Sequence, residues 1–318
     1  MKTTIKLLLL ASLSVIATAY AQTYPYRPVK VIIPFPPGGT LDTVGRMLAQ
    51  KLGEQSGQQF IVDNRPGGNG AIGATAVTQS AGDGYTLLFN ASTFVTGPMV
   101  MATPPYNIAS DFTAIALVAK APLSVSINKN LPITDLNSLF AYAKANPGKL
   151  GFAIGSTASA GHLATELLRR AGGGEYLIVP YKGSTPAYQD LIGGQIAGFV
   201  DPVLGAVQQH KAGNLRIVAV TSAARLPTLP DVPTVAETIP GYEFTSWYGL
   251  WGPAKLPQDI TQRLNAEVNK ALAGDMREKL LAQGILLGGG STADFAKFQQ
   301  NYMTQMGKLI TEAKIRVE

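Results

Sequence analysis

A glycine-rich turn near the start of the chain has the residue types that hold a small anion. Residues 34–43 read PFPPGGTLDT and follow the apolar run of residues 29–33. Two glycines there carry no Cβ, so the backbone can turn sharply and bring its N–H groups close to a ligand. A helix that begins after this turn exposes unpaired amides at the positive end of its dipole, where carboxylates and phosphates bind. The predicted ligand contacts of this turn are Phe35, Pro37, Gly38, Gly39, Thr40 and Asp42.

The same pattern of a strand, a small polar turn and a helix start recurs later in the chain. Residues 155–162 read GSTASAGH and residues 182–186 read KGSTP, each after a predicted strand. Two further predicted strands also end in polar residues. Because ligands collect beyond the carboxyl ends of parallel strands, we expect these turns to share one rim. The additional predicted contacts are Ser92, Thr93, Ser156, Thr157, Ala158, His162, Gly183, Ser184 and Asp201.

Three of these residues have alternative interpretations. We interpret Asp42 mainly as a helix cap, because a carboxylate beside a bound carboxylate would repel it. His162 is either a neutral hydrogen-bond donor near the ligand or a residue that shapes the first helical turn. Asp201 either accepts a hydrogen bond from a ligand hydroxyl, amine or water, or caps the turn before Pro202.

The composition argues against several catalytic classes. Cysteine is absent, and two histidines are too few for a His-rich metal site. Residues 157–161, TASAG, lack the first glycine of a serine-hydrolase elbow. Residues 68–73 match the GxGxxG nucleotide pattern, but the next predicted strand, residues 85–90, ends in Phe89 and Asn90 rather than in an acid that would hold a ribose. We therefore expect no catalytic residue, metal or cofactor, and keep a secreted hydrolase and a nucleotide-binding enzyme as alternatives.

The N-terminus has the pattern of a secretory signal peptide that is removed after Ala21. Lys2 and Lys6 precede an apolar run at residues 7–19, and residues 19–21, AYA, offer small residues at the cleavage-determining positions. The run is shorter than the roughly twenty residues that a membrane anchor needs. The 318-residue chain has a formal net charge of +6, two of it from the signal lysines. Because the remaining basic residues are scattered, we expect no nucleic-acid partner.

Short β-branched runs alternate with amphipathic stretches, which favours an α/β fold with a parallel sheet and helices on both faces. Residues 112–127 form a long extended segment interrupted at Pro122, as a crossing between two domains would. After a proline-rich connection, the last three predicted helices are expected to pack back on the first domain. We predict one domain from residues 22–122 plus 227–318 and a second from residues 123–226, with a cleft and a hinge between them.

Several longer motifs resemble the Bug family of periplasmic solute-binding proteins, the receptors of tripartite tricarboxylate transporters. The resemblance extends over essentially the whole chain after the signal peptide. The motifs are YP at residues 24–25, PFPPGG at 34–39 with Asp42, NRPGG at 64–68, DGYTLL at 83–88, VPYKG at 179–183, TSA at 221–223, LPDVPT at 229–234 and QG at 283–284.

The resemblance implies a two-domain venus-flytrap fold with two chain crossings, which closes on a small carboxylate and delivers it to membrane permease subunits. It also implies that residues 35–42 and 155–162 hold the carboxylate partly through bridging waters. We expect a periplasmic, monomeric, non-enzymatic protein that binds a di- or tricarboxylate, an aromatic acid or an amino acid. The aromatic residues that either line such a cleft or belong to the core are Phe35, Phe94, Tyr181 and Trp247.

Overall fold

The computed structural model describes residues 23–316, so the predicted signal peptide lies outside the described residues. The chain begins with β1 (Val29–Ile33), α1 (Thr40–Ser56), β2 (Phe60–Asn64), α2 (Ala71–Thr78), β3 (Thr86–Ala91), α3 (Thr93–Thr96), α4 (Ile108–Asp111) and β4 (Phe112–Asn128). It continues with α5 (Leu136–Ala145), β5 (Leu150–Ile154), α6 (Ala160–Gly172), β6 (Tyr176–Pro180), α7 (Ser184–Gly193), β7 (Gly198–Pro202), α8 (Val203–Lys211) and β8 (Leu215–Val220). It ends with β9 (Thr245–Pro253), α9 (Gln258–Ala273), α10 (Asp275–Leu281), β10 (Leu286–Leu287) and α11 (Thr292–Ala313).

The strands form two groups that meet in the middle of one continuous path. Their order is β2-β1-β3-β9-β4-β7-β5-β6, and β8 and β10 also pair with β4. β1, β2 and β3 are parallel to one another, as are β5, β6 and β7. The central strands β4 and β9 run antiparallel to their neighbours. The predicted α/β fold is confirmed, and the all-parallel sheet is wrong for these central strands, which are not joined by crossover helices.

One strand carries the chain from the first group to the second. β4 pairs with β9 as far as Pro122, and from Leu123 onward it pairs with β7 and β8 instead. Proline, which has no N–H to donate, sits where the partner changes. The segment that the sequence predicts to be interrupted is therefore a single strand of 17 residues.

The return connection packs mainly on the second group of strands. Leu229 and Val232 lie in a hydrophobic cluster with α7 and α8, and Tyr242 and Phe244 lie in another with α5 and α6. This packing favours a second crossing near Thr245. The domain boundaries that the sequence predicts stay a prediction.

The last helix contacts both halves of the molecule. Near its start Phe295 packs against Trp247 and Trp251, whereas Leu309 and Ile310 near its end join the core of the second group. With 22 residues, α11 is roughly 33 Å long, enough to pass from one half to the other. The expectation that it packs back on the first domain therefore holds for its start, whereas its end packs on the second group of strands.

Apolar residues at helical spacing explain why helices cover both faces of the strands. In α1, Val44, Leu48 and Leu52 recur on one side and are almost completely buried against β1 and β3. The helix ends at Gly57, whose left-handed φ of 72° suits glycine. Similar apolar faces on α9 and α10 join the same cluster.

A single threonine ties the two crossing segments together. The buried Thr221 accepts a hydrogen bond at Oγ1 from the backbone N–H of Leu123 at 2.8 Å and donates one to the carbonyl of Phe244 at 2.6 Å. The outgoing and returning chains are therefore held side by side at the hinge.

We expect Thr221→Val to destabilise the protein by about 1–3 kcal/mol, because the substitution leaves a buried N–H and a buried carbonyl without partners. Thr311→Val is the matched control, since that hydroxyl bonds only to the Gly307 carbonyl of its own exposed helix. Urea unfolding of the two variants measures the difference. Equal midpoints for the two variants would show that the hinge does not depend on this hydroxyl.

Candidate functional site

A cleft of about 620 Å³, partly open to solvent, lies between the two halves of the molecule. Nine of the fifteen contacts that the sequence predicts line it: Phe35, Gly39, Thr40, Asp42, Thr93, Ser156, Gly183, Ser184 and Asp201. Further lining residues, which are not among those fifteen, are Pro36, Leu41, Ala91, Gly155, Ser159, Ala160, Gly161, Pro202, Ser246 and Tyr248.

The first turn is shaped by Asp42. Its carboxylate accepts hydrogen bonds from the Gly38 N–H at 3.0 Å, from Arg46 at 2.9 Å and from the Asn64 amide at 2.9 Å. The same Asn64 amide also donates to the Phe35 carbonyl. Burial would raise the pKa of Asp42, but these hydrogen bonds outweigh burial and lower the pKa. Asp42 is thus ionised and holds the turn in place from the first turn of α1, whereas the N-cap is Gly39, so the interpretation of Asp42 as the helix cap is wrong.

The second turn is held by Ser159 and His162. The Ser159 hydroxyl caps α6 by accepting from the backbone N–H of His162, and the His162 ring accepts at Nδ1 from the N–H of Ala158 at 3.1 Å. Ala158 has a left-handed φ of 58°, which this hydrogen bond helps to hold. Burial lowers the pKa of His162, although Glu166 opposes the shift, so the ring is neutral at pH 7. This geometry favours the interpretation of His162 as a residue that shapes the turn.

The third turn lies directly beside the second. The Gly183 N–H donates to the Gly155 carbonyl at 2.8 Å, and the Ser184 hydroxyl donates to Oδ1 of Asp201 at 3.0 Å. Gly183 is the N-cap of α7, and Ser184 is its first residue. The turns therefore bring helix starts and one buried acid to a common wall.

Helix N-termini replace basic side chains in this cleft. The helices α1, α6, α7 and α8 all begin at or beside lining residues, and α1, α7 and α8 have no side-chain cap. Their first amides have no intrahelical acceptor, so each end attracts an anion. Of the described residues that line the cleft, none is lysine or arginine. The arrangement can hold an anion through backbone dipoles alone.

The other predicted contacts lie behind or beside the cleft. Gly38 and Thr157 line neighbouring depressions. Ser92 is fully buried, and the remaining predicted contacts that do not line the cleft are Pro37, Ala158 and His162. Whether any of the fifteen touches a ligand stays a prediction.

Among the missed residues, Ser246 and Tyr248 come from β9. The sequence offered only one signal for them, their position on a strand next to the expected hinge. Of the candidate cleft aromatics, Phe35 lines the cleft, whereas Phe94 and Trp247 are buried in the core around α11. Tyr181 instead donates its hydroxyl to Asp190.

Direct hydrogen bonds join the two halves of the molecule beside the cleft. Asn69 donates to the Thr157 carbonyl at 2.9 Å, Thr96 donates to the Ala158 carbonyl at 2.7 Å, and Thr185 donates to the Pro37 carbonyl at 3.3 Å. Asn69, like Ala158, is in the left-handed region, with a φ of 56°. We call the Asn69 and Thr96 contacts the latch. They show the molecule in a closed arrangement.

The Ser159 and His162 side chains, which a serine hydrolase would use, make contacts with the backbone instead. The Ser159 hydroxyl bonds to a backbone N–H rather than to the His162 ring, so the pair does not form a nucleophile–base hydrogen bond. Within residues 23–316, no group of three or more His, Asp or Glu side chains is placed to hold a metal ion.

Comparison with known proteins identifies the family. A family model described as "Tripartite tricarboxylate transporter family receptor" matches residues 44–315. The chain belongs to this family. It is 37% identical over 279 residues to the protein BugT of Bordetella pertussis, covering 86% of each chain.

Solved structures of similar proteins have the same fold. Rpa4515 of R. palustris with adipate is 36% identical, with a TM-score of 0.90 over 92% of this chain and 99% of its own. The periplasmic binding protein BugD is 31% identical, with a TM-score of 0.88 over 93% of this chain and 100% of its own. MatC of Rhodopseudomonas palustris with bound malate is 29% identical, with a TM-score of 0.85 over 90% and 100%. The predicted two-domain periplasmic-binding-protein fold is confirmed.

We expect Asn69→Gly and Thr96→Val to shift the ligand-free protein toward an open form. Each removes an interdomain hydrogen bond, which contributes about 0.5–1.5 kcal/mol, and glycine tolerates the left-handed backbone of residue 69. Small-angle X-ray scattering measures the change as a larger radius of gyration. Thr304→Val, which removes a hydroxyl bonded only within α11, is the matched control. A double variant as compact as the parent would contradict the latch.

Proposed function

We propose that this protein captures a small carboxylate in the cleft between its two domains and delivers it to the permease of a tripartite tricarboxylate transporter. The proposal includes a periplasmic location after removal of the signal peptide. It rests most directly on the helix N-termini that converge on a cleft whose lining has no lysine or arginine.

The backbone amides suit a carboxylate because they donate hydrogen bonds to it without a charged lysine or arginine side chain. Gly39 and Thr40 present the start of α1, and Gly183 and Ser184 present the start of α7 from the opposite domain. The cleft lining also includes hydroxyl groups, which can orient a ligand or bridging waters. The adipate and malate complexes of its structural relatives support this ligand class.

Capture follows from a shift between open and closed forms. A ligand that contacts both domains stabilises the closed form in proportion to the contacts that it makes only in that form. The two hydrogen bonds of the latch stabilise the closed form by only a few kcal/mol. The bound ligand therefore supplies the rest of the free energy that favours closure. The closed form is then the one that the permease recognises, as the membership of this receptor family supports.

We expect adipate or malate to stabilise the protein against thermal unfolding. At a hundredfold excess over its dissociation constant, a ligand of the native state adds about 2.7 kcal/mol. A thermal-shift screen of dicarboxylates, tricarboxylates, aromatic acids and acidic amino acids measures the effect and ranks the ligands. The absence of stabilisation by every acid would contradict carboxylate capture.

We expect Thr40→Pro to weaken the binding of the best acid from that screen by about ten- to a hundredfold. Proline at the first helical position removes one backbone donor, and a hydrogen bond to a charged group contributes about 1.5–3 kcal/mol. The preceding Gly39 has φ −80° and ψ 170°, a conformation that proline accepts in its neighbour.

Thr40→Ala is the control, because it removes the hydroxyl and keeps the amide. Isothermal titration calorimetry of both variants separates the two groups. If Thr40→Ala weakens binding as much as Thr40→Pro, the start of α1 does not hold the carboxylate through its amide.

A further inference from the structure

Asp201 is a buried acid that faces the cleft and keeps one of its two carboxyl oxygens free of hydrogen bonds. It ends β7, is 6% exposed and lines the cleft. Its Oδ1 accepts from Ser184, whereas its Oδ2 has no hydrogen-bond partner. The hydroxyl of Tyr188 approaches the carboxyl group without reaching hydrogen-bond geometry.

Three hydroxyls around Asp201 are also buried without partners. They are Oγ1 of Thr40 and the phenol oxygens of Tyr188 and Tyr248. Thr40 and Tyr248 belong to the first half of the molecule, and Tyr188 belongs to the second. Buried polar atoms without partners are costly and uncommon in native proteins. Thr40, Tyr248 and Asp201 all line the cleft, so a polar ligand group there is the candidate for their missing partner.

Among the described residues that line the cleft, no lysine or arginine is in place to neutralise an ionised Asp201. The titratable groups that face it are Tyr188 on α7 and Tyr248 on β9, and burial raises the pKa of both phenols. On β4 the residue paired with it is the uncharged Ser124. Asp42 lines the same cleft but its carboxylate is engaged by Arg46 and Asn64. An ionised Asp201 in the closed cleft would therefore be an uncompensated buried charge.

A bound anion makes the ionised form still less favourable. The start of α8, immediately after Asp201, would stabilise a negative charge on it. A ligand carboxylate at the helix starts competes for that same stabilisation and repels a second negative charge. Burial already raises the pKa of Asp201 to about 8, although the hydrogen bond from Ser184 and the nearby hydroxyl of Tyr188 oppose the shift. Closure on an anion thus favours the protonated acid.

We propose that Asp201 is a specificity-determining residue that binds in its protonated form and donates a hydrogen bond from Oδ2 to an acceptor oxygen at the far end of the ligand. This inference rests on the proposed function. It assigns the site to acids that carry a second carboxylate and no ammonium group near Asp201, that is, to dicarboxylates rather than amino acids.

The proposal couples binding to the uptake of a proton from solvent. In the open form Asp201 is hydrated, and a hydrated aspartate has a pKa near 3.9. Between that value and the pKa in the closed form, the complex holds one more proton than the free protein. Affinity therefore falls as pH rises through this range, by up to about tenfold per pH unit, and levels off above it.

The test is isothermal titration calorimetry with adipate between about pH 6.5 and 8.5, where aliphatic carboxyls with pKa values near 4.3 stay ionised. We expect the dissociation constant to rise about twentyfold over this range. At the lower pH, titrations in buffers of different ionisation enthalpy should show the uptake of close to one proton. Asp201→Asn, which keeps a donor, should bind adipate with no pH dependence and no proton uptake.

Asp190→Asn is the matched control, because Asp190 lies on α7 outside the cleft and accepts a hydrogen bond from Tyr181. We expect it to keep the pH dependence of the parent. If Asp201→Asn does not fold, the proton uptake of the unmodified protein decides by itself.

Two outcomes would overturn the role of Asp201 while leaving carboxylate capture intact. One is adipate binding with no pH dependence and no proton uptake. The other is tighter binding of glutamate than of adipate with a loss of glutamate binding in Asp201→Asn, which would make Asp201 an ionised acceptor for an ammonium group. If no carboxylate binds the unmodified protein, the proposed function itself fails.

Discussion

The structure depends on one electrostatic constraint: the cleft is built to hold negative charge without a basic side chain. The lining has no lysine or arginine, so the attraction comes from amides at the starts of helices on both domains. Such amides are fixed by the fold and lose little freedom when they bind. The turns before them must therefore be rigid, and Asp42 and His162 are both used to hold backbone N–H groups in place.

The same constraint explains why the two acids of the cleft, Asp42 and Asp201, have different surroundings. Asp42 is ionised because Arg46, Asn64 and the Gly38 amide compensate its charge. Asp201 lacks such partners, and its carboxyl lies among phenols and hydroxyls at the cleft wall. The surroundings of these two carboxyl groups thus shift their pKa values in opposite directions. Asp42 therefore holds the first turn in place, whereas Asp201 can change its protonation when a ligand binds.

The glycine-rich turn, the helix behind it and the alternation of strands and helices followed from local patterns. Gly38 has the positive φ that its position in the turn requires, and Val44, Leu48 and Leu52 are buried as their spacing predicts. Other features depend on contacts between distant residues. Nothing local indicates that β4 continues through Pro122, or that α11 contacts both halves.

Only part of the site could be predicted, because the rest of it also depends on contacts between distant residues. Turns that follow strands identified Thr40, Ser184 and Asp201, because the carboxyl ends of strands meet at one rim. Tyr248 was missed, since a strand interior carries no such signal and its place at the cleft depends on the pairing of β9 with β4. Thr221 was quoted only as part of a motif, and its link between Leu123 and Phe244 is visible only in three dimensions.

A crystal structure of the protein with adipate tests the central claim most directly. The account predicts one carboxylate within hydrogen-bond reach of the amide at Thr40, directly or through one water, and the other beside Oδ2 of Asp201. It also predicts no lysine or arginine side chain on either carboxylate. Adipate held by a basic side chain, or bound outside the cleft, would contradict the account.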